Sequence, residues 1–186
     1  MIPAIKDIDN ITKIWKSTIE TQCELTNNQV RSLTSPRGQN LTKKIDEYIF
    51  ETLSRTDVCA LFDIDINLSQ NQLTYESDDN TILTYIYATI KVIIYGKNSS
   101  LLAMKFKARL ESSEVRDLLW QQGIYFEDVS TPNDVHEFVN NIVYFRTDMT
   151  INFSFRYDVS KIVNNEYFDD SPTEDTISEG LHIDKI

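Results

Sequence analysis

The run from Thr81 to Tyr95, TILTYIYATIKVIIY, decides the architecture. It is dense in β-branched and aromatic side chains, which are stiff at χ1 and pack well on a pleated surface. Gly96 ends it. As a strand it puts Ile82, Ile86, Ile90 and Ile94 on one face and Tyr85, Tyr87, Thr89 and Lys91 on the other. The second face is amphipathic rather than solvent-like, which points to a partner on it. The plainer alternative is an exposed sheet face rich in Tyr and Thr.

Working outward, the pattern holds its period of two on both sides. Upstream, Phe62, Ile64, Ile66 and Leu68 alternate with Asp63, Asp65 and Asn67, the mark of a half-buried strand. Leu73 to Glu76 adds a short strand, and Ser77-Asp78-Asp79-Asn80 reads as a turn. Downstream, Asn98 or Ser99 caps a helix to about Leu110, with Leu101, Leu102, Phe106 and Leu110 facing in. A second short helix runs from Ser113 through Trp120, and Gly123 is its natural C-terminal stop. Ile124 to Val129 is a strand, broken by Thr131-Pro132-Asn133-Asp134. Residues 134–145, DVHEFVNNIVYF, read as a loop and helix. Residues 143–159 form the last long strand, with Met149, Ile151, Phe153, Phe155, Tyr157 and Val159 on one face.

Helices also open the chain. Ile5, Ile8, Ile11, Trp15, Ile19 and Gln22 follow helical spacing over residues 5–22. Residues 24–40 look like a loop, and a second helix starts near Asn40 with Leu41, Ile45, Tyr48, Ile49 and Leu53 as its stripe. The elements predict an α+β fold: a mainly antiparallel twisted sheet of about four to five strands flanked by two to four helices. Residues 1–160 make a single domain. Residues 161–186 are a polar, acidic C-terminal tail, flexible or bound to a partner, punctuated by Tyr167 and Phe168.

The chain has 186 residues, with 18 Lys plus Arg against 29 Asp plus Glu, a net charge of −11. That balance argues against a grip on nucleic acid, which relies on cationic counterion release, and against anionic membrane surfaces. It does not exclude a protein that encloses DNA without holding it. Cys23 and Cys59 are too few for a disulfide framework and read as buried thiols in a reducing compartment. The N-terminus has the charges of Lys6, Asp7 and Asp9 and no long apolar run, so no signal peptide or membrane span is expected.

Catalytic signatures are sparse. The four glycines form neither a dinucleotide fingerprint nor a phosphate loop, and His136 and His182 are the only imidazoles. Neither a zinc site nor a Ser-His-Asp triad is expected. Asp63 and Asp65 share one strand face and, with Asp57 or the Glu76-Asp78-Asp79 group, have the oxygen chemistry of a Mg²⁺ site. In so acidic a chain a solvated strand face is the simpler account. Lys105, Lys107 and Arg109 fan around a helix rather than forming one row, and read as a solvated face. Trp120 reads as core rather than a stacking platform.

The stretch from residue 84 to 159 carries a resemblance. Its order is TYIYATIKVIIYG, SSLLAMKFKARLES, SEVRDLLWQQG, IYFEDVS, a loop and helix DVHEFVNNIVYF, then Arg146 leading into TDMTINFSFRYD. This resembles the tailed-phage neck or tail-terminator family in its sheet–helix–short helix–sheet order, its aromatic-Gly strand end, and an Arg before the closing strand. The resemblance implies a structural virion protein rather than an enzyme, with no cofactor. It implies assembly in the host cytoplasm into a ring, six-membered in this reading, at the head–tail junction. There it would cap the tail tube, with sheath if present, and meet head-completion or connector proteins while DNA passes without specific binding.

A body of about 160 residues is roughly 40 Å across, and six in a closed ring leave an opening on that scale. Six copies at −11 each carry −66, a charge that repels phosphate inside such a conduit. The interface candidates are Tyr85, Tyr87, Met149, Ile151 and Phe153 on the sheet, Pro36, Arg37 and Gln39 in the loop, and Tyr167 and Phe168 in the tail. Two other classes fit the composition: an acidic inhibitor that mimics DNA, and a metal-dependent phosphoryl hydrolase built on Asp63 and Asp65.

Overall fold

A computed structural model of the chain describes residues 4–5, 8–33, 58–76, 81–139 and 142–158. The helix expected near Asn40, the loop at Pro36 to Gln39 and the acidic tail lie outside these residues. The described elements are α1 (Ile8–Cys23), β1 (Val30–Ser32), β2 (Cys59–Glu76), β3 (Thr81–Tyr95), α2 (Ser99–Leu110), α3 (Ser113–Gln121), β4 (Ile124–Val129), β5 (Asn133–Val139) and β6 (Ile142–Asp158). A short 3-10 turn, Asn27–Gln29, precedes β1.

The fold is α+β. The six strands form one sheet in the order β1-β2-β3-β6-β4, with β5 also paired to β6. Four of the pairings are antiparallel, but β1 runs parallel to β2, so the sheet is mixed. β1 lies in the stretch expected as loop. It is three residues long, and its pairing with Ala60 to Phe62 comes from the tertiary fold rather than from local pattern.

The alternation seen in the sequence becomes a two-faced sheet. Ile86 pairs with Phe155, Ala88 with Phe153, Ile90 with Ile151 and Val92 with Met149. All eight are buried, and the helices cover this face. Trp15 of α1, Phe106 and Leu110 of α2, and Val115 and Leu119 of α3 join the same core. Trp15 is fully buried with its ring centroid 5.1 Å from that of Phe153, in a tilted arrangement of the kind favoured by the ring quadrupoles. Leu101, expected to face in, is 55% exposed, and Ala103 takes the inward position.

Local chemistry sets the helix ends. The Ser112 side chain accepts a bond from Val115 N at the start of α3. Gly123 follows the helix with φ 84°, a conformation costly for any residue with a Cβ. Glu24 ends α1 with φ 56°, and its carboxylate binds Arg109 Nη2 at 2.6 Å. Arg109 also donates to the carbonyl of Gln22. Lys107 donates to the Val129 carbonyl at 2.8 Å. Two of the three cations read as a solvated face therefore pin α2 to its neighbours.

Two further expectations are corrected. Ile5 stands outside α1 and bridges to Tyr157, donating its N–H to Arg156 O at 2.8 Å. DVHEFVNNIVYF is not a loop and helix. Its ends are β5 and the start of β6, which pair Val139 with Ile142 across Asn140-Asn141. Val135, Phe138, Val139 and Ile142 have helical spacing, but β-branched residues around an Asn pair suit a hairpin better.

Replacing Phe153 with Ala removes the ring that Trp15 and Phe155 pack on. The expected cost is about 3–5 kcal/mol of unfolding free energy, read from the urea midpoint at unchanged slope.

Candidate protein-interaction site

The pairing pattern leaves one part of the sheet standing beyond its core. β3 pairs with β6 only as far as Tyr95 opposite Arg146. Among the described residues, β6 pairs with β5 alone from Tyr144 back to Ile142, while the Phe145 carbonyl still accepts from Gly96 N at 3.0 Å. At roughly 3.4 Å per residue, this hairpin extends some 10 Å past the three-stranded region.

Its base is held on both faces. On the outer face, away from the helices, Arg146 grips Asp148 with two bonds, Nε to Oδ1 at 2.6 Å and Nη2 to Oδ2 at 2.7 Å. It also reaches Glu137 Oε2 at 3.4 Å, and that oxygen accepts from the Tyr95 hydroxyl at 2.9 Å. The bond to Asp148 is the main cause raising the Arg146 pKa, so the guanidinium stays charged. Burial raises the Tyr95 phenol above its ordinary value, so it stays a donor. Tyr95 joins Cys59, Leu61 and Ile93 in a small second core, with Leu33 and Tyr144 packed against it.

On the helix side, Thr147 Oγ1 donates to Asp134 Oδ1 at 2.7 Å and shares a hydrogen bond with Ser99 Oγ at 2.9 Å. Ser100 Oγ donates to the same Asp134 oxygen at 2.6 Å. The bonds from Ser100 and then Thr147 hold the Asp134 carboxyl below its usual range. Helix α2 and the hairpin are thus joined at the root.

The free part of the hairpin is apolar on the side opposite the Arg146 cluster. His136 faces Phe145, and Phe138 faces Val143. The His136 and Phe145 rings meet edge to face at 5.4 Å. Phe138 is 73% exposed, Phe145 44% and Val143 40%. Three large apolar side chains beyond the body, on a strand pair fixed at its base, form a surface prepared for contact.

The outer sheet face is the second candidate. Tyr87 is exposed, and Tyr85 is half-buried with the Arg156 guanidinium 5.8 Å from its ring centroid and the Tyr125 ring centroid 6.3 Å away. Asp63, Asp65 and Lys91 are exposed on the same face. Among the described residues no three His, Cys, Asp or Glu side chains are grouped to hold a metal ion.

The interface candidates therefore separate. Tyr85, half-buried, and Tyr87, exposed, stand on the outer face. Met149, Ile151 and Phe153 are corrected: each is at most 2% exposed, under the helices, because the apolar face of a one-layer sheet is the face its own helices cover. Pro36, Arg37, Gln39, Tyr167 and Phe168 lie outside the described residues. Trp120, read as core, is 49% exposed, and Leu119 takes the buried position beside it. The sequence does not announce Phe138, Val143 and Phe145 as a surface, because their segment also fits a helical period. Cys23 and Cys59 are both buried and not joined in a disulfide, and burial pushes the Cys23 thiol up to about 12.

A sheet covered by helices on one face and carrying exposed apolar side chains on a hairpin fixed at its root offers a surface suited to contact with other proteins. The profile of the phage neck terminator proteins matches residues 44–179, and the chain belongs to that family. It is thus a structural component of the phage neck and of the virion, and its partners are other phage head and tail proteins. A search of the curated proteins finds no match. No helix among the described residues is long and apolar enough to cross a membrane.

The Asp134 lock has a pH signature. A carboxyl held below its ordinary value of about 3.8 stabilises the fold at neutral pH. That contribution fades as pH falls below the unfolded value and is gone below the folded one. Asp134→Asn removes it, so the variant should melt lower than the parent at pH 7, and the gap should narrow as pH falls below the ordinary carboxylate value, in thermal unfolding followed across the acid range.

Proposed function

We propose that the chain is a ring subunit at the head–tail junction. It caps the tail tube, joins it to the head connector and leaves a passage for DNA, without catalysis. The exposed apolar hairpin carries this reading. Phe138 at 73% exposure is a poor solution for a monomer and a good anchor for a neighbour. A closed ring is built from heterologous contacts, in which a projecting element of one subunit meets a different surface of the next. A hairpin anchored at its base and bare at its tip suits that geometry, and the open face with Tyr85 and Tyr87 offers a second contact surface.

The net charge of −11 per chain supports a conduit that duplex DNA slides through without sticking, by repulsion over about 8 Å in physiological salt. Six-fold symmetry fits subunits of this size around a duplex and is part of the proposal.

Phe138 and Phe145 are exposed, so Phe138→Glu with Phe145→Ser leaves the subunit folded by circular dichroism. Phage carrying the double variant is expected to accumulate separate heads and tails, counted by electron microscopy. Normal virion yield would remove the hairpin from assembly. Gold-labelled antibody against the protein is expected at the head–tail junction, and label elsewhere on the particle would overturn the placement.

A further inference from the structure

The opposite margin of the sheet carries a different feature. Among the described residues β4 is an edge strand, paired only with β6. Natural edges are protected by charge, by bulges or by cover, since their free backbone groups invite another strand. The far half of β4 has two such protections, a register break between Phe126 and Asp128 and the acids Glu127 and Asp128. Its near half, Ile124-Tyr125-Phe126, has neither. Beside that half lies an open cleft of about 400 Å³ lined by Arg116, Asp117, Trp120, Ile124, Tyr125 and Phe126. The Arg116 guanidinium sits 4.9 Å from the Phe126 ring centroid, and Trp120 is half in solvent.

We propose that this cleft is the seat of the chain's own C-terminal tail, with Tyr167 and Phe168 packed against Trp120 and Phe126. The place where the tail departs favours it over any other occupant. Phe155 pairs with Ile124, so the last residue of β6, Asp158, lies only about 10 Å along the strand from the cleft. The chain from Asp158 to Tyr167 can span up to about 30 Å. A tether of that length presents its aromatic pair at an effective concentration of order millimolar.

The β6 edge beyond Ile124 is already taken by Ile5, which accepts from Asp158 N at 3.1 Å. The open backbone nearest the departing chain is therefore that of β4. Tyr167 and Phe168 are the first aromatic residues after Tyr157. Asp169 and Asp170 follow them and can meet Arg116, while Asp117 offsets that charge and leaves the seat mainly apolar. Covering β4 in this way would guard the free subunit against strand-to-strand association. The inference is independent of the ring proposal.

The test uses the full-length chain and its Tyr167→Ser/Phe168→Ser variant. Trp15 is fully buried, so acrylamide quenching reports Trp120. In the parent, Trp120 should be shielded and the amides of Ile124 to Phe126 protected. The double variant should quench more strongly and exchange those amides about tenfold faster, and a peptide of residues 164–172 should restore protection. Equal quenching and exchange in the two chains would overturn the proposal. Protection that disappears on dilution would also overturn it, since the occupant would then be a second copy.

Discussion

The register between β3 and β6 is the constraint on which the rest of the structure depends. Their pairing runs from Leu83 opposite Asp158 to Tyr95 opposite Arg146. Because side chains alternate with a period of two, this one alignment puts Ile86, Ala88, Ile90, Val92, Met149, Ile151, Phe153 and Phe155 on a common face. A slip of β6 by one residue would turn Met149, Ile151, Phe153 and Phe155 to solvent and bring Asn152 and Arg156 under the helices. Trp15 cannot pack, the three helices have no floor, and the hairpin loses its root unless this register is kept.

The hairpin then follows from strand length. β6 is 17 residues long, and its partners β3 and β4 stop before it does. Its first residues need another neighbour, and β5 supplies one. The base is fixed by charge on one side, through Arg146, and by hydroxyls on the other, through Thr147 and Ser99. Phe138, Val143 and Phe145 on the hairpin are left exposed. Rigidity at the root and bare hydrophobic surface at the end lower the ordering cost of binding, because the contact surface is already shaped.

Much of this fold is legible in the sequence, and the exceptions have physical causes. β3 and β4 match the expected spans, and α2, α3 and β6 do so to within a residue or two, because β-branched runs, Ser caps and Gly123 are local signals. The hairpin was hidden because its apolar residues also fit a helical period, and only the Asn pair and the Val and Ile content argued otherwise. β1 is too short to announce itself, and Ile5 has the spacing of the α1 stripe but is used as a bridge. The site was less legible than the fold. Strong alternation in Met149 to Phe155 shows that one face is apolar, but not whether a neighbour or the chain's own helices cover it. A packing layer decides that, and the sequence of one strand does not contain it.

Arg146 and Asp148 lie at the point where β6 passes from the sheet into the hairpin, on one unbroken strand. A neighbour that pulls the hairpin along the strand axis therefore pulls directly on an interior strand of the sheet. The hydrogen bonds to β3 and β4 flank that strand and lie across the direction of pull, so they are loaded together in shear rather than opened one after another. The same continuity that exposes the hairpin makes it a tie bar, with tension carried into the strongest part of the subunit instead of into a loop.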